Sequence, residues 1–229
     1  HSVLSTVFTA DLTMLFAALF APRSIRVIPR EANQTEQDLG SGSFLQVRLN
    51  KLIAPLLYRR ADAVIAVATS IVDGLATTHV ASRSKVHVIR NPVLPSSAAS
   101  AAQLTRDPLL VLACGRLELQ KDHATLLRAF AKVVEQRPAR LVILGEGSEQ
   151  AKLQALTESL GLGAAVTMAG FSDAPQQWMR MATVLAHPSR FEGMSNVLIE
   201  AMANGCAIVA TDCPGGSREV LDGGKFGTL

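Results

Sequence analysis

The sequence predicts an α/β protein made of two Rossmann-like domains, each built on a parallel sheet. Two observations carry that prediction. Short apolar runs alternate with helix-period segments along nearly the whole chain, and strict strand–helix alternation implies a parallel sheet covered on both faces through right-handed crossovers. The composition agrees: 48% of the residues are hydrophobic but only 4% aromatic, so aliphatic side chains suited to buried parallel strands dominate. A third observation divides the chain. Residues 92–107 include a run of Pro, Ser and Ala with little to bury, which predicts a linker between a domain at 1–91 and another at 108–229.

The elements of the first half follow in order. Residues 3–21 are apolar enough to raise the question of a membrane span, but Asp11 sits at their middle and no basic leader precedes them. They are read as a buried helix, neither span nor signal peptide. Residues 24–29 (SIRVIP) read as a strand, 43–60 as a helix, 61–67 (ADAVIAV) as a strand, 70–79 as a helix and 85–90 (KVHVIR) as a strand. Gly40, Ser41 and Gly42 read as a flexible loop.

The second half is better punctuated. Strands are predicted at 108–114, 140–144, 164–168, 183–187 and 207–211, and helices at 122–136, 148–160, 175–181 and 196–204. Leu126, Leu127, Phe130, Val133 and Val134 share one face of the 122–136 helix, while Gly161 and Gly205 close two others. Ligands of open parallel sheets sit beyond the carboxyl ends of the strands, where the polar candidates of this half also fall.

Charge and cysteine content exclude some classes. Residues 1–91 hold ten Lys/Arg against six Asp/Glu, about +4, while the remainder is near neutral. A basic half suits anionic lipid or an anionic substrate, whereas nucleic acid would call for aromatic platforms or a reading helix, and neither is found. Cys114, Cys206 and Cys213 are odd in number and lack CxxC spacing, which argues against a metal site or a disulfide framework and fits a reducing cytoplasm.

Two constellations could carry chemistry. The loop GRLELQKD at 115–122 joins a buried strand to a helix, where backbone N–H groups and the helix dipole gather anions. Asp122 is the expected N-cap. Lys121 lies at the positive end of that dipole, with Arg116 in the same loop, a placement that makes sense if a diphosphate lies between them. Two solvated cations would read the same way. The second constellation, FEGMSNVLIE at 191–200, separates Glu192 from Glu200, with Ser195 as the expected N-cap and Asn196, Glu200 and Asn204 on one stripe. A carboxylate one turn into a helix whose N-terminus holds phosphate could accept both hydroxyls of a ribose. A charged, solvated helix face is the plain alternative.

Taken together, GRL at 115–117 with Lys121, GEG at 145–147, PSRFEG at 188–193 with EAMA at 200–203, and TDCPGG at 211–216 with Glu219 resemble the C-terminal domain of family 4 glycosyltransferases over roughly residues 86–229. Residues 1–85 resemble the family's acceptor-side domain less specifically, through REAN at 30–33 and the segment 58–67. The resemblance implies a GT-B fold, two Rossmann-like domains facing each other across a cleft, both incomplete at the outer chain ends. It implies a retaining transferase that uses a nucleotide-sugar donor, with UDP the expected nucleotide, and no metal or other cofactor. Arg116 and Lys121 would bind the donor diphosphate, as would Gly193, Met194, Ser195 and Asn196 through backbone amides. Glu200 would bind the ribose, Phe171 would lie near the base, and Glu192 would approach the transferred sugar as the catalytic group. The TDCP variant points to bacterial surface-polysaccharide synthesis, with a lipid-linked or saccharide acceptor and a cytoplasmic location at the inner face of the membrane.

The sequence departs from the family in lacking the N-terminal glycine-rich loop, and His1 cannot be aligned with the family's early active-site histidine. His1 has no lead-in and 226–229 reads as the start of a strand, so the chain is expected to be part of a longer one that need not turn over by itself. Lys51, Arg59 and Arg60, on a helix with Leu52, Ile53, Leu56 and Leu57, suit either peripheral docking on anionic lipid or a buried helix with snorkelling cations. His79 and His87 read as isolated structural residues, Trp178 and Met179 as the packing side of a short helix, and Asn33-Gln34-Thr35 as a sequon without meaning in a cytoplasm. The competing functional classes are a decayed, non-catalytic nucleotide-sugar-binding protein and a sugar-nucleotide epimerase. The first should have lost one of Arg116, Lys121, Glu192 or Glu200; the second needs acidic and histidine groups that are not found.

Overall fold

The computed structural model describes residues 1–40, 43–92 and 105–229. The chain divides into two units, and two short stretches of its second half, Glu192–Met194 and Pro214–Glu219, group with the first.

The first unit contains β1 (Ser2–Ser5), α1 (Phe8–Ala18), β2 (Arg26–Glu31), α2 (Thr35–Leu39), α3 (Phe44–Tyr58), β3 (Val64–Ala66), α4 (Thr69–Thr77) and β4 (Val86–Val88). Its strands pair in parallel in the order β1-β2-β3-β4. Leu15, Val27, Tyr58, Ile71 and Leu75 fill the core at 2% exposure or less. Ser43 starts α3 with a capping box, its hydroxyl accepting from the Gln46 amide while the Gln46 side chain accepts from the Ser43 amide.

Residues 3–21 are not one buried helix. Ser2–Ser5 is a strand paired with β2, and α1 leaves Phe16, just inside its last turn, and Leu19 and Phe20, just after it, exposed. Only Phe8, Asp11, Leu15 and Ala18 of that helix are buried, and Asp11 accepts a hydrogen bond from the Ser5 hydroxyl. Strand β2 runs two residues later than 24–29, which brings Glu31 into the core against the Tyr58 hydroxyl. Among the described residues, no helix is long and apolar enough to cross a membrane. The predicted linker at 92–107 lies mostly outside the described residues, as do Ser41 and Gly42.

The second unit contains β5 (Asp107–Cys114), α5 (His123–Gln136), β6 (Arg140–Leu144), α6 (Gln150–Ser159), β7 (Val166–Gly170), α7 (Pro175–Met181), β8 (Ala182–His187), α8 (Asn196–Ala203) and β9 (Ala207–Ala210), while α9 (Ser217–Val220) falls almost wholly in the stretch that groups with the first. The parallel sheet runs β7-β6-β5-β8-β9. The strand order therefore reverses beside β5, the switch point at which open α/β sheets take their ligands. Leu112, Leu127, Ile143, Met179 and Leu185 are fully buried around this sheet. Thr228 adds one parallel bridge beside β9, through its amide to the Ile208 carbonyl and its carbonyl to the Ala210 amide.

Candidate functional site

The loops at the carboxyl ends of β5, β6 and β7 enclose a cavity of about 310 Å³ in the second unit. Cys114, Gly115 and Arg116 come from the end of β5, Leu144, Gly145 and Glu146 from the end of β6, and Phe171, Ser172 and Pro175 from the β7–α7 connection. Phe171 is 75% exposed, an aromatic face presented at the rim instead of packed in the core. An exposed apolar side chain is ordinary alone, but at the rim of a cavity an aromatic face offers a stacking surface.

Glycine makes the floor possible. A Cβ on Gly145 would stand 2.0 Å from the Gly115 carbonyl oxygen, and one on Gly147 2.4 Å from that of Leu117. The two loops therefore touch backbone to backbone, tied by the Leu117 amide to the Glu146 carbonyl and the Glu149 amide to the Leu117 carbonyl, both at 2.9 Å. Glu118 fixes the same junction by accepting from the Ser148 amide and hydroxyl, and those bonds hold its carboxyl below the usual range.

Arg116 is exposed and Lys121 half-buried, with the Lys121 stem packed over Gly115. The two cations thus leave the same loop, Arg116 lining the cavity and the Lys121 stem resting on Gly115 of that lining. Asp122 occupies the N-cap position of α5 but does not cap it as expected: it is left-handed (φ 47°), and its carboxylate pairs with Arg190 instead. Burial is the largest single influence and pushes that carboxyl up, but Arg190, through its bond and its charge, and Thr125 together outweigh it and leave the pKa lowered. The pairing, with the Arg190 amide donating to the Gln120 carbonyl and the Gln120 side chain to the Phe191 carbonyl, joins the loop after β5 to the loop after β8.

Glu200 stands half-buried on α8, and burial raises its pKa. Its charge acts on Cys114 at the cavity wall, whose thiol is pushed up to about 12, chiefly by burial, and is inert as a nucleophile. Glu200 itself is not among the residues that line the cavity. Ser195 is the N-cap residue of α8, yet its hydroxyl does not cap the helix; it hydrogen-bonds His187 Nε2 at 3.1 Å, and both side chains are buried. Asn196 is exposed at the first turn.

Glu192, Gly193 and Met194 group with the first unit. A Cβ on Gly193 would lie 1.9 Å from the Ala32 carbonyl oxygen, and one on Gly215 1.9 Å from that of Glu192. Gln34 donates to the Glu192 carbonyl at 3.0 Å, and the Glu192 amide to that of Pro214. The REAN, FEG and CPGG motifs thus form one backbone-packed cluster, which explains their glycines. Glu192 itself is 5% exposed. Gln34 and Thr35 are buried within the sequon, while His79 and His87 are exposed.

Two contributors escaped the sequence reading. Glu118 could have been suspected from its place in the loop. His123 gave no such signal, because it opens a helix in a position where an apolar residue would serve. Its ring is 2% exposed and faces the backbone of Gly115 and Arg116, with neither nitrogen making a hydrogen bond of normal geometry. Burial lowers its pKa to about 4; the Gly115 and Arg116 backbone opposes that, and the nearby Lys121 and His187 add to it. A neutral imidazole therefore supports the loop that carries both cations. Among the described residues, no group of three or more His, Cys, Asp or Glu side chains could hold a metal ion.

Residues 98–229 match the family model described as glycosyl transferases group 1. The chain is 34% identical over 183 residues to the N-acetylgalactosamine-N,N'-diacetylbacillosaminyl-diphospho-undecaprenol 4-alpha-N-acetylgalactosaminyltransferase of Campylobacter jejuni, covering 79% of this chain and 50% of that protein. It is 29% identical over 175 residues to the lipopolysaccharide 1,6-galactosyltransferase of Salmonella typhimurium, covering 74% and 48%. It thus spans about half the length of these curated relatives. Among solved structures, HepE of Anabaena in complex with UDP superimposes with a TM-score of 0.76 at 21% identity, over 95% of this chain and 61% of that one. At that identity the likeness establishes the fold, the α/β GT-B architecture.

Proposed function

The chain belongs to the group 1 glycosyl transferase family, and on that premise we propose that it forms part of a retaining glycosyltransferase using a UDP-sugar donor. The observation that carries this reading is the cavity at the ends of β5, β6 and β7, lined by Arg116 and Phe171, with Lys121 leaving the same loop as Arg116 and the charge of Glu200 felt by Cys114 in its wall. Phe171 stacks the base, Glu200 takes the ribose hydroxyls, and Arg116 and Lys121 neutralise the diphosphate. The backbone amides of Gly193, Met194, Ser195 and Asn196 at the phosphates, and Glu192 at the transferred sugar, keep the roles the family resemblance implies.

In this chemistry the bond between the anomeric carbon and the diphosphate oxygen breaks, and negative charge grows on the leaving diphosphate. Cations fixed before the reaction stabilise that growing charge more than the ground state, which lowers the barrier without a metal. The acceptor is a lipid-linked or saccharide hydroxyl, as the names of the Campylobacter and Salmonella relatives suggest. The setting is bacterial surface-polysaccharide synthesis at the inner face of the cytoplasmic membrane, with peripheral membrane contact. Against the decayed-protein reading, all four assigned side chains are present.

The reading is tested by comparing UDP with uridine. Arg116→Ala or Lys121→Ala should weaken UDP by about 1–3 kcal/mol and uridine hardly at all, the scale for hydrogen bonds to charged groups. Glu200→Gln should weaken both ligands. Equal losses of the two ligands in the cation variants would move the diphosphate elsewhere.

A further inference from the structure

Helix α3 (Phe44–Tyr58) is apolar on two sides. Ala54, Leu57 and Tyr58 face the core of the first unit. Leu45, Leu49, Leu52 and Leu56 recur at i, i+4, i+7 and i+11, which confines them to a stripe about 60° wide on the opposite side of the helix. These four are 74%, 50%, 69% and 56% exposed, and Phe44 at the head of the helix is 76% exposed. Each is ordinary alone, but a continuous row of this kind marks a surface that something covers.

The charges beside the row indicate what covers it. Arg48 and Lys51 on α3, and Arg59 at its C-cap, are all exposed, and the helix contains no Asp or Glu. Arg48 lies 4.8 Å above the Phe44 ring, so this cation is held at the border of the apolar stripe. Arg60, the third cation expected on this face, does not belong there: it is 7% exposed and donates to the Ala18 and Ile25 carbonyls beside Asp62. A leucine stripe with cations beside it, on a helix that itself carries no Asp or Glu, is complementary to a surface that is apolar below and anionic above.

We propose that the outer face of α3 docks on an anionic phospholipid bilayer, lying in the interface with Leu45, Leu49, Leu52 and Leu56 among the acyl chains and Arg48, Lys51 and Arg59 among the headgroups. The inference rests on the membrane contact included in the function proposed above and gives that contact its residues. The helix is about 22 Å long at 1.5 Å per residue, enough to lie along the surface but not to cross it.

The test is co-sedimentation of the full chain with vesicles of phosphatidylcholine alone or mixed with phosphatidylglycerol. The mixed vesicles should retain the protein, and those of phosphatidylcholine alone should hold it at least about tenfold less tightly. Leu49→Gln with Leu52→Gln, and separately Arg48→Gln with Lys51→Gln, should each weaken binding to mixed vesicles by about tenfold or more while thermal unfolding and UDP titration stay unchanged. Absence of vesicle binding, or binding indifferent to both double variants, overturns the proposal. So does a leucine double variant that turns a dimer into a monomer, since a second copy would then be the cover. Vesicle binding without UDP binding would leave the docking face standing and remove the donor site.

Discussion

Helices α3 and α5 are almost the same length and both carry a regular apolar spacing, yet they spend it differently. In α5, Leu127 and Phe130 are 2% exposed or less and pack beneath the sheet of the second unit, and His123 at its start reaches under the loop that carries Arg116 and Lys121. In α3 the buried side is small, and four leucines stand outward. Periodicity reports that a helix has an apolar face. Whether protein covers that face is decided by elements far away in sequence, and only the structure separates a helix that builds a core from one that offers a surface.

The largest effect should come from the floor of the cavity. Gly145→Ala would drive a Cβ into the Gly115 carbonyl at a φ of 134°, and urea unfolding should record a loss of more than about 4 kcal/mol. A milder loss would mean that the two loops yield, and that their close approach is not what holds the cations. Phe130→Ala on α5 follows, at about 3–5 kcal/mol for a buried aromatic. Leu52→Gln on α3 should stay within about 0.5 kcal/mol, as for surface positions. Similar losses at these two sites would erase the distinction between the helices.

A pH titration sharpens the same contrast. His123 titrates near 4 in the folded protein and near its ordinary 6.5 when unfolded. Between those values the unfolded chain binds more protons, so the contribution is fully present above about pH 6.5 and declines as pH falls towards 4. Stability of the wild type should therefore fall across that window, with a shallower slope in His123→Gln. Equal slopes would place the buried imidazole outside the linkage.

Much of this was legible in the sequence, and the exceptions have a common cause. Strand β6 and helix α7 fall where local spacing put them, because each is a self-contained apolar run with clear ends. Strand β1 was hidden: Val3 and Leu4 are largely exposed, and the strand exists only by pairing with β2. Of the candidate residues, Arg116 and Phe171 were legible through their motif and their place after strands, and both line the cavity; Lys121 and Glu200 were legible as motif letters and are not among its lining. The partners of Asp122 and Ser195 were not legible, since Arg190 lies on another loop and His187 at the end of β8, and local capping rules would have used both side chains. The glycines of GEG and FEG were legible as motif letters, but the carbonyls that exclude a Cβ there belong to residues 115, 117 and 32.

On the function proposed above, the cavity at the ends of β5, β6 and β7 receives the nucleoside diphosphate of a sugar donor. Calorimetric titration with UDP, GDP and ADP, with and without magnesium, tests it most directly. UDP should bind with an affinity that magnesium does not change and that Arg116→Ala weakens. Failure of the full chain to bind any of the three, or binding that survives loss of both Arg116 and Lys121 unchanged, would contradict it.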